Sequence, residues 1–528
     1  MPTVSIDGKQ IEVPAGTTII QAAEKLGIDI PRYCYHPALP VAGNCRICMV
    51  EVEKAPKLLI ACYTPVAEGM VVKTTSPKVL EARKTVLEFL LVNHPVDCPV
   101  CDQAGECKLQ DYYMEHGKYE SRLADVKVKK EKKAFSIGPT VMLDQERCIL
   151  CTRCVRFADN ITKTSEFGVF ERGNHSQLDV YPGKQLDNDY SGNVVDICPV
   201  GALTDKDFRF KCRVWYLDKT NSVCPGCSMG CNITVEWDKS RPHQHKKERA
   251  MRLKPRLNPD VNNYWICDHG RYNYHFIDEN RIQSPQLKDD LISWDKAINT
   301  IVQAVKPLKD SGQLARIGVL ASAQLTNEDL FVVRRLFKDN LKGVQVDFRV
   351  PEKPGDSDDF LIKADKNPNT AGAQTILGEG ADANTIIQKA KNGEIDVLYV
   401  FGHDLIKLFG KDAVEQIAKR IKLFVYQGSN INETCSYAHL ILPSAVYAEK
   451  EGTFTNCQQR VQRIHPAFAP LGEAKGDWEI LSLLSEKLGN PIVYKASQDI
   501  FKDIAANVGA FSEMNYEKIA DQGMVLKK

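Results

Sequence analysis

Residues 147–157 read RCILCTRCVRF and residues 196–209 read DICPVGALTDKDFR. A small domain that holds two [4Fe-4S] clusters uses the run C-x2-C-x2-C-x3-C-P twice, and the fourth cysteine of each run ligates the other run's cluster. Here Cys148, Cys151 and Cys154 occupy the first three places of one run, and Ala158 stands at the fourth. Counted back from Cys198-Pro199, the second run has Asn188, Ser191 and Val194 at its other places. One cluster thus keeps all four ligands, Cys148, Cys151, Cys154 and Cys198, while its sibling has lost all four. Random decay would not sort the positions so cleanly, and the pattern reads as a single [4Fe-4S] cluster.

Outward from this run, cysteine remains the unusual residue. The chain of 528 residues contains 18, and sixteen lie between Cys34 and Cys267. With no signal peptide visible, the expected compartment is reducing and cytosolic, where clustered thiols mean metal or redox chemistry rather than disulfides. Cys34, Cys45, Cys48 and Cys62 are spaced C-x10-C-x2-C-x13-C, which suits a [2Fe-2S] cluster: two thiolates per iron, on loops that wrap the sulfides. His94, Cys98, Cys101 and Cys107 follow as H-x3-C-x2-C-x5-C. Three thiols cannot complete a four-coordinate thiolate site, and His94 is the nearby nitrogen ligand. Neighbours in a redox chain share one chemistry, so a histidine-ligated [4Fe-4S] cluster is expected there. Neutral imidazole in place of a thiolate makes such a cluster less negative and raises its potential. Cys224, Cys227, Cys231 and Cys267, spaced C-x2-C-x3-C-x35-C, suit a further [4Fe-4S] cluster. Structural zinc is the alternative at each of these three sets. Cys212, Cys435 and Cys457 are expected to be small buried hydrophobes.

The hydrophobic pattern places these sets. Residues 3–13 read as a hairpin around Asp7-Gly8, and Thr17 to Leu26 as a helix capped by Thr17 or Thr18 and stopped by Gly27. This predicts a β-grasp [2Fe-2S] domain over 1–78. A helical stripe from Val79 to Val92 delivers the chain to His94 in a histidine-ligated segment over 79–121. Arg122 to Lys133 reads as a basic connector. A [4Fe-4S] domain over 134–212 and a four-cysteine domain over 218–275 follow. Within the latter, the basic stretch Lys239 to Arg256, with Lys246, Lys247, Arg249, Arg252, Lys254 and Arg256, reads as a solvated loop or hairpin; docking onto an acidic partner is the other reading.

Beyond residue 276 the texture changes to an α/β domain running to 528. Strands at 316–322, 395–401 and 422–427 alternate with helices at 327–337 and 412–420, which argues for a largely parallel sheet. Residues 351–380 are expected to form a long surface loop. Gly378 to Ala383 fits G-x-G-x-x-A, but no convincing strand leads into it, and it reads as an ordinary turn. No P-loop is present, so NADH and flavin are expected on another chain. Lys plus Arg (69) balances Asp plus Glu (68), so no net field favours nucleic acid. No apolar stretch nears the roughly 20 residues a bilayer requires, so no membrane insertion is expected.

With these residues in hand, the chain resembles the family of large iron-sulfur subunits of NADH:quinone oxidoreductase, respiratory complex I. The resemblance rests on IPRYCYHPALPVAGNCRICMVEVE at 30–53, EFLLVNHPVDCPVCDQAGECKLQDYY at 88–113 and the two stretches quoted first. It is close from residue 1 to about 275. Downstream, WICDHGRYNYHFID at 265–278 and LPSAVYAEKEGTFTNCQQRVQR at 442–463 look like the molybdopterin-oxidoreductase domain that this family carries without its cofactor. The resemblance implies a multidomain α+β and α/β protein: a β-grasp [2Fe-2S] domain, histidine-ligated and ferredoxin-like [4Fe-4S] segments, then a degenerate molybdopterin-type domain. One [2Fe-2S] and three [4Fe-4S] clusters, and no molybdopterin, are expected.

The implied work is electron relay from a flavin- and NADH-binding subunit toward quinone-arm iron-sulfur subunits. The implied location is peripheral, on the cytoplasmic side of a bacterial inner membrane, since mitochondrial versions lack the fourth cysteine set. His269 stands where related molybdenum enzymes have lysine. An iron-only hydrogenase needs four further cysteines downstream, and only Cys435 and Cys457 are there. An iron-sulfur subunit of an NAD-reducing hydrogenase or formate dehydrogenase complex is the alternative function, with a zinc-stapled scaffold behind it.

Overall fold

Asp7 and Gly8 take left-handed backbone, φ 45° and 82°, as a two-residue hairpin turn requires. They join Thr3–Ile6 to Lys9–Glu12 in antiparallel register. In the computed structural model, residues 1–241, 248–351 and 354–527 are described, and the chain divides into two units, Met1–Leu217 and Asp218–Lys528.

The first unit opens with five strands in the order Lys9–Glu12, Thr3–Ile6, Met70–Lys73, Met49–Val52, Leu59–Ile60, the second and third parallel. The helix Ile19–Lys25 lays Ile19, Ile20, Ala22 and Ala23 on the sheet, which makes the β-grasp. Thr18 is its N-cap, Gln21 accepting from the Thr18 N–H at 2.9 Å, and Gly27 leaves it at φ 72°. Ser76 caps the helix Pro77–Leu91, its hydroxyl accepting from the Val79 N–H; proline at the first helical position lacks only an amide that has no helical partner there. Lys108–His116 packs on this helix through Leu109 and Tyr112. Residues 122–133 form no regular element, yet their charges are engaged: Lys127 Nζ donates to the carbonyls of Leu91 and Val92 at 2.7 and 3.1 Å, a cation on a helix C-terminus. Three strands, Leu203–Asp205, Val141–Asp144 and Ala134–Ser136, and the hairpin of Phe167–Phe170 with Gln177–Val180 complete the unit.

The second unit begins with the three-stranded sheet Leu217–Val223, Asn232–Asp238, Ala250–Pro255, the last two antiparallel. Its large sheet runs, in order, Asp290–Leu291, Gln286–Leu287, Leu440–Pro443, Leu423–Gly428, Val397–Phe401, Ile317–Leu320, Gln345–Asp347. The five strands from Leu440–Pro443 onward are parallel. Numbered along the chain, these five have the doubly wound order 2-1-3-4-5. Side chains alternate between faces: Val397, Tyr399 and Phe401 meet one apolar core, Leu398 and Val400 the other. No helix among the described residues is long and apolar enough to cross a membrane.

Four expectations need correction. Residues 351–380 are not one surface loop, because Thr370–Leu377 is a helix that buries Ala373 and Ile376 in the larger core. The helix expected over 327–337 is α-helical only over Asn327–Val333 and continues as π-helix over Arg334–Asn340. In the basic stretch, Arg252 is buried against Glu236 at 2.7 Å and Arg249 binds Asp278 and Glu449, both at 2.6 Å, so internal ion pairs occupy charges read as solvated; Lys246 and Lys247 lie outside the described residues. Cys212 and Cys435 are buried, but Cys457 is exposed.

Candidate metal centres

Strand ends present the first set. Cys48 leads into Met49–Val52 and Cys62 follows Leu59–Ile60, while the Cys34 amide points at Cys45 Sγ, 3.5 Å away. Hydrogen bonds from Cys45 and Cys62 hold Cys34 far below the ordinary thiol range, and the same bonds push Cys45 and Cys62 up. Cys48 is lowered by Cys62. The sequence-predicted ligands are therefore together, within hydrogen-bonding reach of one another.

In the second set, Cys98 opens a 3-10 turn and Cys107 is the N-cap of Lys108–His116. Burial raises Cys107 to about 11, with Cys101 and Cys98 among its electrostatic neighbours. His94 is driven down to about 4, first by burial and then by Arg147, so its imidazole is neutral and able to ligate. Its Nδ1 is buried with no hydrogen-bond partner.

The third set encloses a cavity. Cys148, Cys151, Cys154 and Cys198, with Val169, Leu178, Val200, Ala202 and Leu203, line a small pocket of about 20 Å³. Leu150 and Thr152 alternate with the cysteines in left-handed backbone, φ 52° and 59°, a conformation that non-glycine residues adopt only where the surroundings impose it. Burial raises Cys148 to about 12 and Cys151 to about 11, and each feels the other cysteines. The four places of the lost cluster are filled by protein. Ala158 and Val194 are buried at 1% and 0% exposure, Ser191 Oγ meets Thr140 Oγ1 at 2.7 Å, and Asn188 donates to Glu166 at 2.8 Å.

The fourth set sits in the loop after Leu217–Val223, where the Cys224 amide donates to the Cys231 carbonyl at 2.8 Å. Cys267 caps the helix Asp268–Tyr272, its sulfur accepting from the Gly270 amide at 3.3 Å. A Cβ at Gly270 would stand 3.0 Å from Cys224 Sγ and 3.4 Å from Cys267 Sγ, so glycine keeps this cradle open. Tyr447 Oη, buried beside Cys224, has no partner; nor has Tyr33 Oη, buried near Cys107 and Cys45. Buried polar atoms are normally paired. Unpaired phenols and an unpaired imidazole beside clustered thiols fit iron-sulfur clusters, whose iron takes thiolate or imidazole and whose sulfides accept hydrogen bonds. The two tyrosines escaped sequence reading, since tyrosine in a cysteine-rich stretch reads equally as core. Among the described residues, no three His, Cys, Asp or Glu side chains converge closely enough to hold one ion.

The first, second and third sets meet one apolar core: Cys34, Cys151, Tyr33, Leu109, Val200 and Ala202 form it, with Cys45, Cys107, Cys148 and Cys198 packed against it. In the second unit, a cleft of about 190 Å³ opens at the carboxyl ends of the parallel strands, where doubly wound folds bind ligands. Lys450 is committed there to Asp477 and Asp329 at 2.6 and 2.7 Å. At the switch point itself, His403 Nε2 donates to the Ala321 carbonyl at 2.7 Å and bridges the crevice.

Family models match segment by segment: a 2Fe-2S iron-sulfur cluster binding domain at 1–77, an NADH-ubiquinone oxidoreductase-G iron-sulfur binding region at 83–122, an NADH-quinone oxidoreductase subunit 3 ferredoxin-like domain at 138–204, an NDSU1/NuoG-like 4Fe-4S domain at 217–275 and molybdopterin oxidoreductase at 366–487. The G-type subunit of NADH-quinone oxidoreductase from Rickettsia bellii is 30% identical over 100% of this chain and 93% of its own. The NADH-ubiquinone oxidoreductase 75 kDa subunit of Reclinomonas americana is 30% identical over 98% and 93%, and the mitochondrial 78 kDa subunit of Neurospora crassa 32% identical over 93% and 81%. A chain of an NAD+-reducing [NiFe]-hydrogenase, 30% identical, covers 40% of this chain and 91% of its own at a TM-score of 0.35, too loose a superposition to bear on function. Matched from end to end by such relatives, with iron-sulfur models over each cysteine set, the chain belongs to the NuoG-like family of NADH-quinone oxidoreductase subunits and their 75 and 78 kDa counterparts.

Proposed function

We propose that the chain is the iron-sulfur relay of NADH:quinone oxidoreductase, carrying electrons from an NADH- and flavin-binding partner toward iron-sulfur partners of the quinone arm. The family, with its 2Fe-2S and 4Fe-4S binding domains, supports the electron-transfer role. Cys34, Cys45, Cys48 and Cys62 would hold a [2Fe-2S] cluster. His94, Cys98, Cys101 and Cys107, then Cys148, Cys151, Cys154 and Cys198, then Cys224, Cys227, Cys231 and Cys267, would each hold a [4Fe-4S] cluster. Bound clusters supply reversible one-electron chemistry at potentials set by ligand type, net charge and burial.

The protein's own part is to fix distances and exclude water. The observation that carries this reading is the single apolar core onto which three cysteine sets converge. The Asp97 side chain, next to Cys98, takes the Arg147 guanidinium, next to Cys148, at 2.7 Å, and the Lys108 amide donates to the Pro199 carbonyl at 2.9 Å. The second and third sets are thereby tied through both side chain and backbone. Arg147 also binds Asp144 at 3.0 Å, so its charge is placed rather than free. The location consistent with this role is peripheral, on the cytoplasmic face of a bacterial inner membrane.

The test is paramagnetic resonance on the assembled complex. NADH should reduce the signals of this chain's clusters, and serine in place of Cys34, Cys101 or Cys154 should remove one signal each. Signals that appear with dithionite yet stay silent to NADH in the intact complex would count against the relay.

A further inference from the structure

Arg156 lies on the short helix Arg153–Phe157, two residues past Cys154. Its Nη2 donates to the Cys34 carbonyl at 2.5 Å and to the Cys151 carbonyl at 3.1 Å. One nitrogen thus spans a cysteine of the first set and a cysteine of the third. Arg153, one turn earlier, repeats the arrangement: Nη2 donates to the Tyr35 carbonyl at 2.5 Å and Nη1 to the Ile197 carbonyl at 2.9 Å, the neighbours of Cys34 and Cys198. A third link joins the same loops, Asn44 Nδ2 donating to the Leu150 carbonyl at 3.1 Å. The hydrogen bonds of both arginines end on carbonyls or, once, on the Thr152 hydroxyl. Burial weighs against the Arg156 charge, and Cys34, Cys151, Cys154 and Cys45 favour it. A guanidinium stays protonated even when partly buried. A fixed positive charge beside a cluster favours its more negative, reduced state.

We propose that Arg156, backed by Arg153, is a positioning residue that locks the first and third cysteine sets together and raises the reduction potentials of both of their clusters. This rests on the cluster assignment proposed above. It explains why two long cationic side chains are spent on main-chain oxygens in the middle of thiols: the carbonyls hold the charges in place, and the clusters feel them.

Arg156→Gln keeps a hydrogen-bond donor but removes the charge; Arg156→Lys keeps the charge but has no planar fork. In the assembled complex, each would be assayed for iron and sulfide and titrated under resonance spectroscopy. The expectation for R156Q is a full iron complement, with the reduction equilibrium constant lowered about tenfold at both the [2Fe-2S] and the third-set cluster, about 59 mV for one electron. The His94-set and fourth-set midpoints should stay put, and R156K should move both affected midpoints by much less than R156Q. The proposal is overturned if R156Q loads fully and leaves both midpoints in place, if all four midpoints fall together, or if R156K falls as far as R156Q. If R156Q loses iron, Arg153→Gln decides: the same paired fall sustains the proposal, and unmoved midpoints end it. Absence of iron-sulfur signals in the unaltered protein would instead refute the cluster assignment itself.

Discussion

Gly201→Ala adds a single methyl group where two cysteine sets meet. Gly201 lies three residues past Cys198, and a Cβ built on it would stand 2.4 Å from Cys101 Sγ and 3.1 Å from Gln103 Cβ. Ordinary contact distances are about 3.5–4 Å, so something must yield by roughly 1 Å or more. A free cysteine could turn away, but one bonded to iron can do so only by breaking that bond. The glycine's own loop is no freer. Pro199 is held by the Lys108 amide at 2.9 Å, and Val200 and Ala202 are 1% and 2% exposed in the shared core. Forcing extra volume into such a site costs about 1–3 kcal/mol, and, with the His94-set cluster proposed above in place, that cost would fall on its bond to Cys101. G201A should therefore fold but lose the His94-set cluster, holding about ten irons instead of about fourteen, with one [4Fe-4S] resonance signal missing. Gly509→Ala, where nothing lies within 4 Å of the added carbon, is the matched control and should keep every signal. A G201A chain with full iron and an unchanged spectrum would refute the claim that the two sets abut at this glycine.

His94→Cys should keep its cluster and lower that midpoint, because a thiolate adds negative charge; an unchanged or raised midpoint in potentiometry would contradict histidine ligation. Lys450→Met should destabilise the second unit by about 3–5 kcal/mol, since it strands Asp329 and Asp477 without their shared cation. A denaturation midpoint close to that of the unaltered chain would show that the cleft is not held by this triad. Burial pushes Glu328 up to about 7, above its unfolded value of about 4.3. Between these values the folded state binds more protons than the unfolded, so this group's contribution to stability falls as pH rises from about 4.3 to about 7. Glu328→Gln, still able to meet Thr453 and Tyr516, should therefore raise thermal stability at pH 8 and give little or no gain at pH 4; a gain independent of pH would refute the assignment.

Much of the site could be read from residue type and spacing, because ligation is chemically narrow. The spacing that separated Cys148, Cys151, Cys154 and Cys198 from Ala158, Asn188, Ser191 and Val194 predicted one occupied place and one closed one. The structure shows four gathered thiols beside a buried, hydrogen-bonded remnant. The hairpin at Asp7-Gly8 and the alternation of Val397 to Phe401 were legible for the same reason, since each is a local rule. What escaped depends on partners far away in the chain. Arg252 and Arg249 look solvent-facing until Glu236, Asp278 and Glu449 are brought to them. Thr370–Leu377 looks like loop because asparagine, proline and glycine surround it, and tertiary burial of Ala373 and Ile376 overrides those signals. Arg156 carries no signature of its own beyond being a cation among cysteines; its meaning lies in the carbonyls of Cys34 and Cys151.

The most direct measurement is metal and acid-labile sulfide analysis of anaerobically purified protein, with chain concentration determined independently. One [2Fe-2S] and three [4Fe-4S] clusters require about fourteen irons and as many sulfides per chain with zinc near zero. About four zincs per chain, without iron or sulfide, would contradict this assignment.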